Sequence, residues 1–332
     1  MRCAALMLAT AVTALYLPRL DAQASSVATF VIVRGQDTIS LEQFSRAGNT
    51  ITGVWIPNQG QVQVHDYVLT LDSAGLPARY DMAVSFPDGA GHLPPSEAKY
   101  LLEFGPDSLT LTTGRTAPVT RRVPMVRGTY PAVGWSVLAQ ELLLTHLRAA
   151  RADSGALAFT QISGGRAAPA QVVPARFFGA DSAIVGPTRF KVDRAGHLLG
   201  WRLASGEEAR RVAPIDVQRY EAALITADSV AEVAARATLI TLPVAALDRL
   251  VGDYVLSPAI TLTVARDSAR LTLRTGPRPA VELLAHSATR FSIGRAVSGQ
   301  TIEFETDSTG TATALFVLAP GGLKQRAPRA PK

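Results

Sequence analysis

Apolar and polar residues alternate in short runs along most of this chain, and turn residues interrupt the runs every 8–12 positions near the C-terminus. From Val27 to Val123 the candidate strands are ATFVIVR, TISLEQF, TITGVWI, VQVHDYVLTL, ARYDMAV, KYLLEF, SLTLTT and VTRRVPM. Tyr80, Met82 and Val84 alternate with Arg79, Asp81 and Ala83, which predicts one buried and one wet face. Val62 and Val64 have even parity, whereas Tyr67, Leu69 and Leu71 have odd parity. That phase change predicts a bulge or bend near His65 and Asp66.

The period changes once, at 133–150 (VGWSVLAQELLLTHLRAA). Trp135, Leu138, Ala139, Leu142, Leu143, His146 and Leu147 form one helical stripe, with Gln140, Glu141, Thr145 and Arg148 off it. Strands resume at ALAFTQI, PAQVVPARFFG, SAIVG and a hairpin at 190–203. A meander, one amphipathic helix and a second meander predict a curved sheet with the helix in its concavity. Residues 214–243 lack alternation and are rich in Ala; they read as a linker, partly helical from Thr226 or Asp228. The run from Leu247 to Arg326 again gives strand after strand, the spacing of a small antiparallel barrel or sandwich.

One local unit recurs at 67–84, 190–203 and 304–318: a strand, Asp-x-x-Gly, a strand. Asp caps the turn and Gly accepts positive φ, so each unit predicts a short hairpin loop ending in a bulge. The alternating ligands and closing Glu of a calcium loop are missing.

Composition changes the picture mainly by placing the chain. Arg2, the apolar run Cys3–Leu17 and the Ala22-Gln23-Ala24 site read as a secretory signal peptide over 1–24. Fifteen apolar residues followed by Pro18 and Arg19 are short for a bilayer span, so no transmembrane segment is expected after cleavage. The expected location is periplasmic or extracellular. Cys3 is the only cysteine, which leaves a mature chain without disulfides, zinc thiolates or a thiol nucleophile. The domains expected are a meander domain at 25–213, the linker at 214–243, a barrel at 244–326 and a disordered tail at 327–332. The formal charge is +6, yet only four of the 33 basic residues are Lys and acids are interspersed with them. Without a basic helix face this argues against nucleic acid as a partner and leaves an anionic surface open.

The terminal segments LDRLVGDYVL, LTVARDSARLTLRTGPRP, VELLAHSATRFSI and IEFETDSTGTATALFV carry a Gly-x-Tyr opening at Gly252 and Tyr254. They also carry a Gly-x-Pro-like turn at Gly276–Pro279 and a Phe-x-x-Asp-x-x-Gly hairpin at 304–310. On these motifs, 247–326 resembles the lipocalin-like C-terminal domain of serine β-lactamase-like peptidases and esterases. The resemblance implies a small barrel accessory to catalysis. By element order alone, the front half is loosely similar to periplasmic lipoprotein-carrier folds, in which a curved antiparallel sheet wraps a helix and makes an apolar hollow. The fold class expected is therefore mainly β: an antiparallel curved sheet or half-barrel with one helix, then a small lipocalin-like barrel.

Catalytic motifs lack context. Ser96-Glu97-Ala98-Lys99 matches Ser-x-x-Lys by letter but runs straight into KYLLEF, no Tyr-x-Asn occurs, and Arg274-Thr275-Gly276 sits inside the terminal module. Gly134-Trp135-Ser136 begins like a nucleophile elbow, but Leu138 stands where Gly is needed. His65, His92, His146, His197 and His286 show no metal-ligand spacing. No metal or cofactor is expected. The leading expectation is a non-catalytic binding or carrier protein for a lipid or other apolar small molecule. Trp55, Tyr67, Tyr80, Trp135, His146 and Phe177 are the candidate lining residues. Each is also an ordinary core position. The alternative is an exported hydrolase, which requires a His beside a Ser or carboxylate in a cleft.

Overall fold

A computed structural model describes residues 27–331, except 60, 88–92, 94–97, 115–117, 135, 164–165, 204–205, 259, 277–278, 298–299 and 319–323. The segment expected to be a signal peptide, His92, Ser96 and Trp135 lie outside the described residues. The front half begins with β1 (Val27–Arg34), β2 (Asp37–Ala47), β3 (Thr50–Gln59), β4 (Gln61–Val62) and β5 (Val64–Leu71). It continues through β6 (Pro77–Ser85), β7 (Ala98–Phe104), β8 (Ser108–Thr113), β9 (Val119–Pro124) and β10 (Tyr130–Ala132). Helix α1 (Leu138–Ala149) follows, then β11 (Ser154–Ser163), β12 (Arg166–Ala167), β13 (Gln171–Phe178), β14 (Ser182–Val185), β15 (Thr188–Val192), β16 (Leu198–Arg202) and β17 (Glu207–Val212).

These strands make one seventeen-stranded sheet. Two of them, β4 and β12, are two-residue flaps on β3 and β11. The other fifteen run β10-β11-β13-β14-β15-β16-β17-β1-β2-β3-β5-β6-β7-β8-β9. The first strand is thus central, with the two meanders spreading from either side of it. Fourteen strand spacings would put the edges of a flat sheet about 67 Å apart. Yet residues 125–129 alone join edge strand β9 to edge strand β10, and six residue steps reach about 21 Å at most. The sheet must therefore roll up. All its pairings are antiparallel but one: β10 and β11 are parallel, because α1 is the crossover between them.

Inside the roll lies α1. Leu138, Ala139, Glu141, Leu142, Leu143, Leu144 and Leu147 are all buried, so burial extends round most of the helix instead of one stripe. Two sequence expectations are corrected here. His146, placed on the buried stripe, is exposed; Glu141, placed off it, is 4 % exposed. The helix also starts at Leu138 instead of 133, because Gly134 takes φ +49° against the Trp55 ring, where a Cβ would come within 2.4 Å.

Helix α2 (Val217–Arg236) lies within the segment expected to be a partly helical linker. It begins at Asp216, whose side chain accepts from the Arg219 amide, about ten residues earlier than expected. Its residues Val217, Tyr220, Leu224 and Ile225 pack on Leu41, Ile56, Val62 and Val64, on the outer face of the sheet. This removes the predicted bulge at His65. The β5 strand is continuous there, and the even-parity valines are buried by α2 while the odd-parity residues face the interior. Among the described residues, no helix is long and apolar enough to cross a membrane.

The C-terminal domain follows the short helix α3 (Val244–Asp248). Its strands are β18 (Gly252–Ser257), β19 (Ile260–Asp267), β20 (Arg270–Thr275), β21 (Val281–Ala285), β22 (Arg290–Ile293), β23 (Thr301–Thr306), β24 (Ala312–Leu318) and β25 (Lys324–Pro328), paired in sequence. Ala327 and Pro328, placed in the tail expected to be disordered, instead finish the closing strand β25. Arg329 bridges Tyr254, and the Ala330 amide donates to the Asp253 carbonyl at 2.7 Å, so the sheet closes nearly into an antiparallel barrel. Arg329 crosses Gly252 on the way to the Val251 carbonyl, and a Cβ there would stand 2.8 Å from its Nε. Tyr254 fills the barrel with Phe304 and Phe291, edge to face, and donates to the Leu250 carbonyl at 2.6 Å.

All three Asp-x-x-Gly units form the predicted turns. Asp72, Asp193 and Asp307 each accept two backbone amides, Gly75, Gly196 and Gly310 have φ of +78°, +89° and +79°, and each hairpin carries a register shift. Their surroundings differ. A Cβ on Gly196 would sit 2.5 Å from the Leu144 carbonyl oxygen of α1, whereas on Gly310 it would meet the movable end of Arg249 at 3.0 Å. Gly310→Ala is expected to lose about 1–2 kcal/mol, the ordinary penalty of left-handed backbone. Gly196→Ala should lose clearly more, because main chain on both sides must shift. Urea unfolding of the two variants checks the order; equal losses would mean that the β15–β16 turn is not seated on α1.

Candidate functional site

Two buried carboxylates hold α1 inside the roll, one on the wall and one on the helix. Glu42 lies on β2 between Ser40 and Phe44 on the inward face and is 1 % exposed. Its Oε1 accepts the Tyr67 hydroxyl and the Ser136 hydroxyl, each at 2.8 Å, and its Oε2 accepts the Val137 amide at 2.6 Å. A wall residue thus caps the N-terminus of α1, where the helix supplies positive potential. Burial pushes this carboxyl up to about 7 against the lowering by those three donors, and the Glu141 charge adds to the rise.

Glu141 answers from the helix side. Its Oε1 takes Arg211 Nη1 and His197 Nδ1, each at 2.9 Å, and Oε2 takes the Leu198 amide at 2.5 Å. The partners stand on β17, at the β15–β16 turn and on β16, so α1 is pinned to the opposite wall. The hydrogen bond that His197 donates to Glu141 raises the His197 pKa above its ordinary value, despite partial burial.

Three expected lining residues gather around Glu42. Tyr67 crosses Gly53 to reach it, and a Cβ on Gly53 would lie 2.4 Å from the phenol ring. Tyr80 lies tilted against Tyr67 with ring centroids 5.6 Å apart, and Trp55 donates Nε1 to Ser40 at 2.7 Å. All three are at most 5 % exposed and belong to the core that α1 completes. Phe177 is apart from them, half-buried under the Arg148 guanidinium at 3.6 Å. His146 faces outward near Gly75.

The serine and histidine candidates have structural partners. Ser136 serves Glu42, as above. His65 is buried against Trp55 at 4.5 Å, and burial pushes its pKa down to about 4. His286 Nε2 lies 3.0 Å from Ser292 Oγ in the barrel, but Ser292 is fully buried. Among the described residues no group of three His, Cys, Asp or Glu could hold a metal ion.

The expected apolar hollow is thus filled by α1 and its neighbours. A cavity of about 170 Å³ remains at the helix N-terminus, bordered by Ser136, Gln140 and Trp201, and it is smaller than the roughly 300 Å³ of a small-molecule pocket. Larger grooves lie outside. One of about 370 Å³ runs between α2 and the sheet, lined by Val27, Val54, Val217, Gln218, Asp66 and Glu221. A second, of about 440 Å³, shares Thr52, Gly53 and Asp66 with it and continues over β5 and β6. Among the described glutamates, all but Glu42 and Glu221 have a cationic partner within 4.0 Å. Glu221 instead faces Asp66 across the groove, and burial, then that neighbouring charge, raises its pKa.

The chain matches no known protein-family model and no curated protein sequence significantly.

Sequence reasoning missed Glu42, Glu141, His197 and Arg211 as a connected set. The one available signal was parity: Glu42 shares the inward face with Phe44. Because the folded-state pKa of Glu42 lies above the unfolded value, its protonated form stabilises the fold at low pH, and that contribution is lost as pH rises from about 4.5 to about 7. Glu42→Gln removes this titration. The stability of the native protein relative to Glu42→Gln should therefore fall by about 3 kcal/mol between pH 4 and pH 8. Urea titrations of both proteins across that range measure it, and a constant difference would show that Glu42 does not titrate there.

Proposed function

We propose that this is a non-catalytic binding protein exported to the cell envelope, taking a lipid or other apolar small molecule in the groove between α2 and the outer face of β2, β3 and β5. The observation that carries this reading is positional. The interior is occupied by α1, whereas a groove of about 370 Å³ runs beside α2 and adjoins one of about 440 Å³ over β5 and β6. Both fall in the lower part of the roughly 300–1,000 Å³ range of small-molecule pockets. Val27, Val54 and Val217 supply apolar wall, and Asp66 with Glu221 supplies a polar end, an arrangement suited to an amphiphile. The leader-like segment at 1–24 supports export.

A second reading, an exported hydrolase with the barrel as accessory domain, draws on the His197–Glu141 and His286–Ser292 contacts at 2.9 and 3.0 Å. It is the weaker one. Glu141 is already held by Arg211 and a backbone amide, and Ser292 has no exposed surface for a substrate to reach. Ester hydrolysis by the purified protein that disappears in Ser292→Ala would favour it over the binding reading.

The neutral apolar fluorophore N-phenyl-1-naphthylamine tests the first reading directly. Its emission should rise on binding the native protein. Gln218→Trp, on the exposed side of α2, and Val54→Trp, on the sheet, should each weaken binding about tenfold by filling the groove. Affinity unchanged in both folded variants, or no binding at all, would overturn the groove as the site.

A further inference from the structure

The outer face of the sheet is not covered evenly. Helix α2 packs over β2 to β5, and among the described residues no helix covers the outer face of β13 to β17. Strand register fixes what that bare face presents. Phe178, Ser182, Lys191, Gly200 and Arg210 form one cross-strand row. Arg176, Ile184 and Arg189 begin the next, which Arg202 and Glu208 complete. Alternation places all of them opposite the inward residues Ala175, Ala183, Phe190 and Ala209.

The face therefore carries five cations and one carboxylate. Glu208 is shared by Arg210 at 2.8 Å and Arg202 at 3.5 Å, and the other acid of these strands, Glu207, is buried inward against Arg34. Around Gly200 the sheet dips into a shallow groove of about 410 Å³ bordered by Arg189, Lys191, Arg202 and Arg210. Between the cations stand apolar side chains in water: Val172, Leu199 and Phe178 are 57 %, 46 % and 39 % exposed. The five strands span about 19 Å, wide enough for several lipid headgroups.

We propose that the outer face of β13–β17 docks on an anionic phospholipid bilayer. Charge complementarity selects an anion, and the interspersed Phe178, Leu199 and Val172 select a bilayer over a soluble polyanion. A soluble polyanion has nothing apolar to offer them, whereas the headgroup boundary receives apolar side chains and holds phosphates at the same depth. This docking does not depend on what occupies the groove under α2.

Co-sedimentation of the full chain with vesicles tests it. Binding to phosphatidylcholine vesicles containing a quarter phosphatidylglycerol should exceed binding to pure phosphatidylcholine at least tenfold and should weaken with salt. Arg189→Glu with Lys191→Glu should lower it about 25-fold, near fivefold per cation. Lys324→Glu with Arg326→Glu, the same charge change on the barrel, should lower it far less. Phe178→Ser with Leu199→Ser should weaken vesicle binding and leave binding to soluble polyphosphate unchanged. Equal affinity for both vesicle types, or equal loss from the two charge reversals, would overturn the docking face. Polyphosphate binding without vesicle binding would replace the bilayer by a free polyanion.

Discussion

Glu42 and Glu141 hold one helix inside a rolled sheet, and the rest of the front domain depends on that arrangement. The roll follows from the short connection between its edges. Met125 of that connection bonds back to the Asp107 carbonyl at 2.8 Å, and Thr129 is 1 % exposed, so it is anchored instead of slack. A rolled sheet encloses volume, and protein interiors do not tolerate emptiness. Helix α1 fills it with leucines. Leucine contacts are non-directional, however, and would allow the helix to slide or turn. The carboxylates supply direction, one fixing the helix start to β2 and the other fixing its first turn to β16 and β17. Buried ion pairs add little net stability over apolar residues of similar volume, but breaking one leaves an uncompensated charge. The clamp therefore disfavours displaced positions more than it stabilises the seated one.

Helix α2 extends the same logic outward. Its first half seals the outer face of β2 to β5, which buries those strands on both sides. Its second half meets the barrel, where Glu232 accepts the Ala296 and Val297 amides at 3.0 and 3.1 Å and Arg236 at 2.7 Å. Burial raises this carboxyl, but the two amides and Arg236 prevail and hold it below the ordinary range. Asp228 adds a close contact of 2.7 Å with Arg295. One helix thus serves two bodies, with an apolar seam for the sheet and a polar one for the barrel.

That division explains what could be read from the sequence. Strands β1 to β9 and the Asp-x-x-Gly turns were legible because they obey local rules: alternation, a capping Asp, a glycine at positive φ. Helix α2 was legible only in part, since a seam that changes partner halfway shows no single stripe. The phase change at His65 was real in the sequence, but its cause, a helix on the far face, is non-local. Glu141 was misplaced for a similar reason. A helix surrounded by sheet buries its polar positions too, and nothing within 133–150 announces Arg211 or the Leu198 amide. The end of the chain misled in the opposite direction, because the Pro and Ala of 327–332 have the composition of a solvated terminus. Only the open gap between β24 and β18 gives it a strand to become.

A filled and clamped interior has a consequence for where binding can occur. Opening a hollow beside α1 would mean withdrawing leucines from contact, separating Glu42 from its donors, and breaking the buried Glu141–Arg211 pair at several kcal/mol. The outer face carries no such penalty. On one side a groove walled by Val27, Val54 and Val217 runs along the edge of the seam that α2 seals. On the other the strands lie bare, with arginines and a lysine raised around Gly200. The strands whose inward residues lock the helix present these surfaces on their other side. A ligand or membrane that engages the outside therefore meets a surface already rigid, and loses little conformational freedom in the protein on binding.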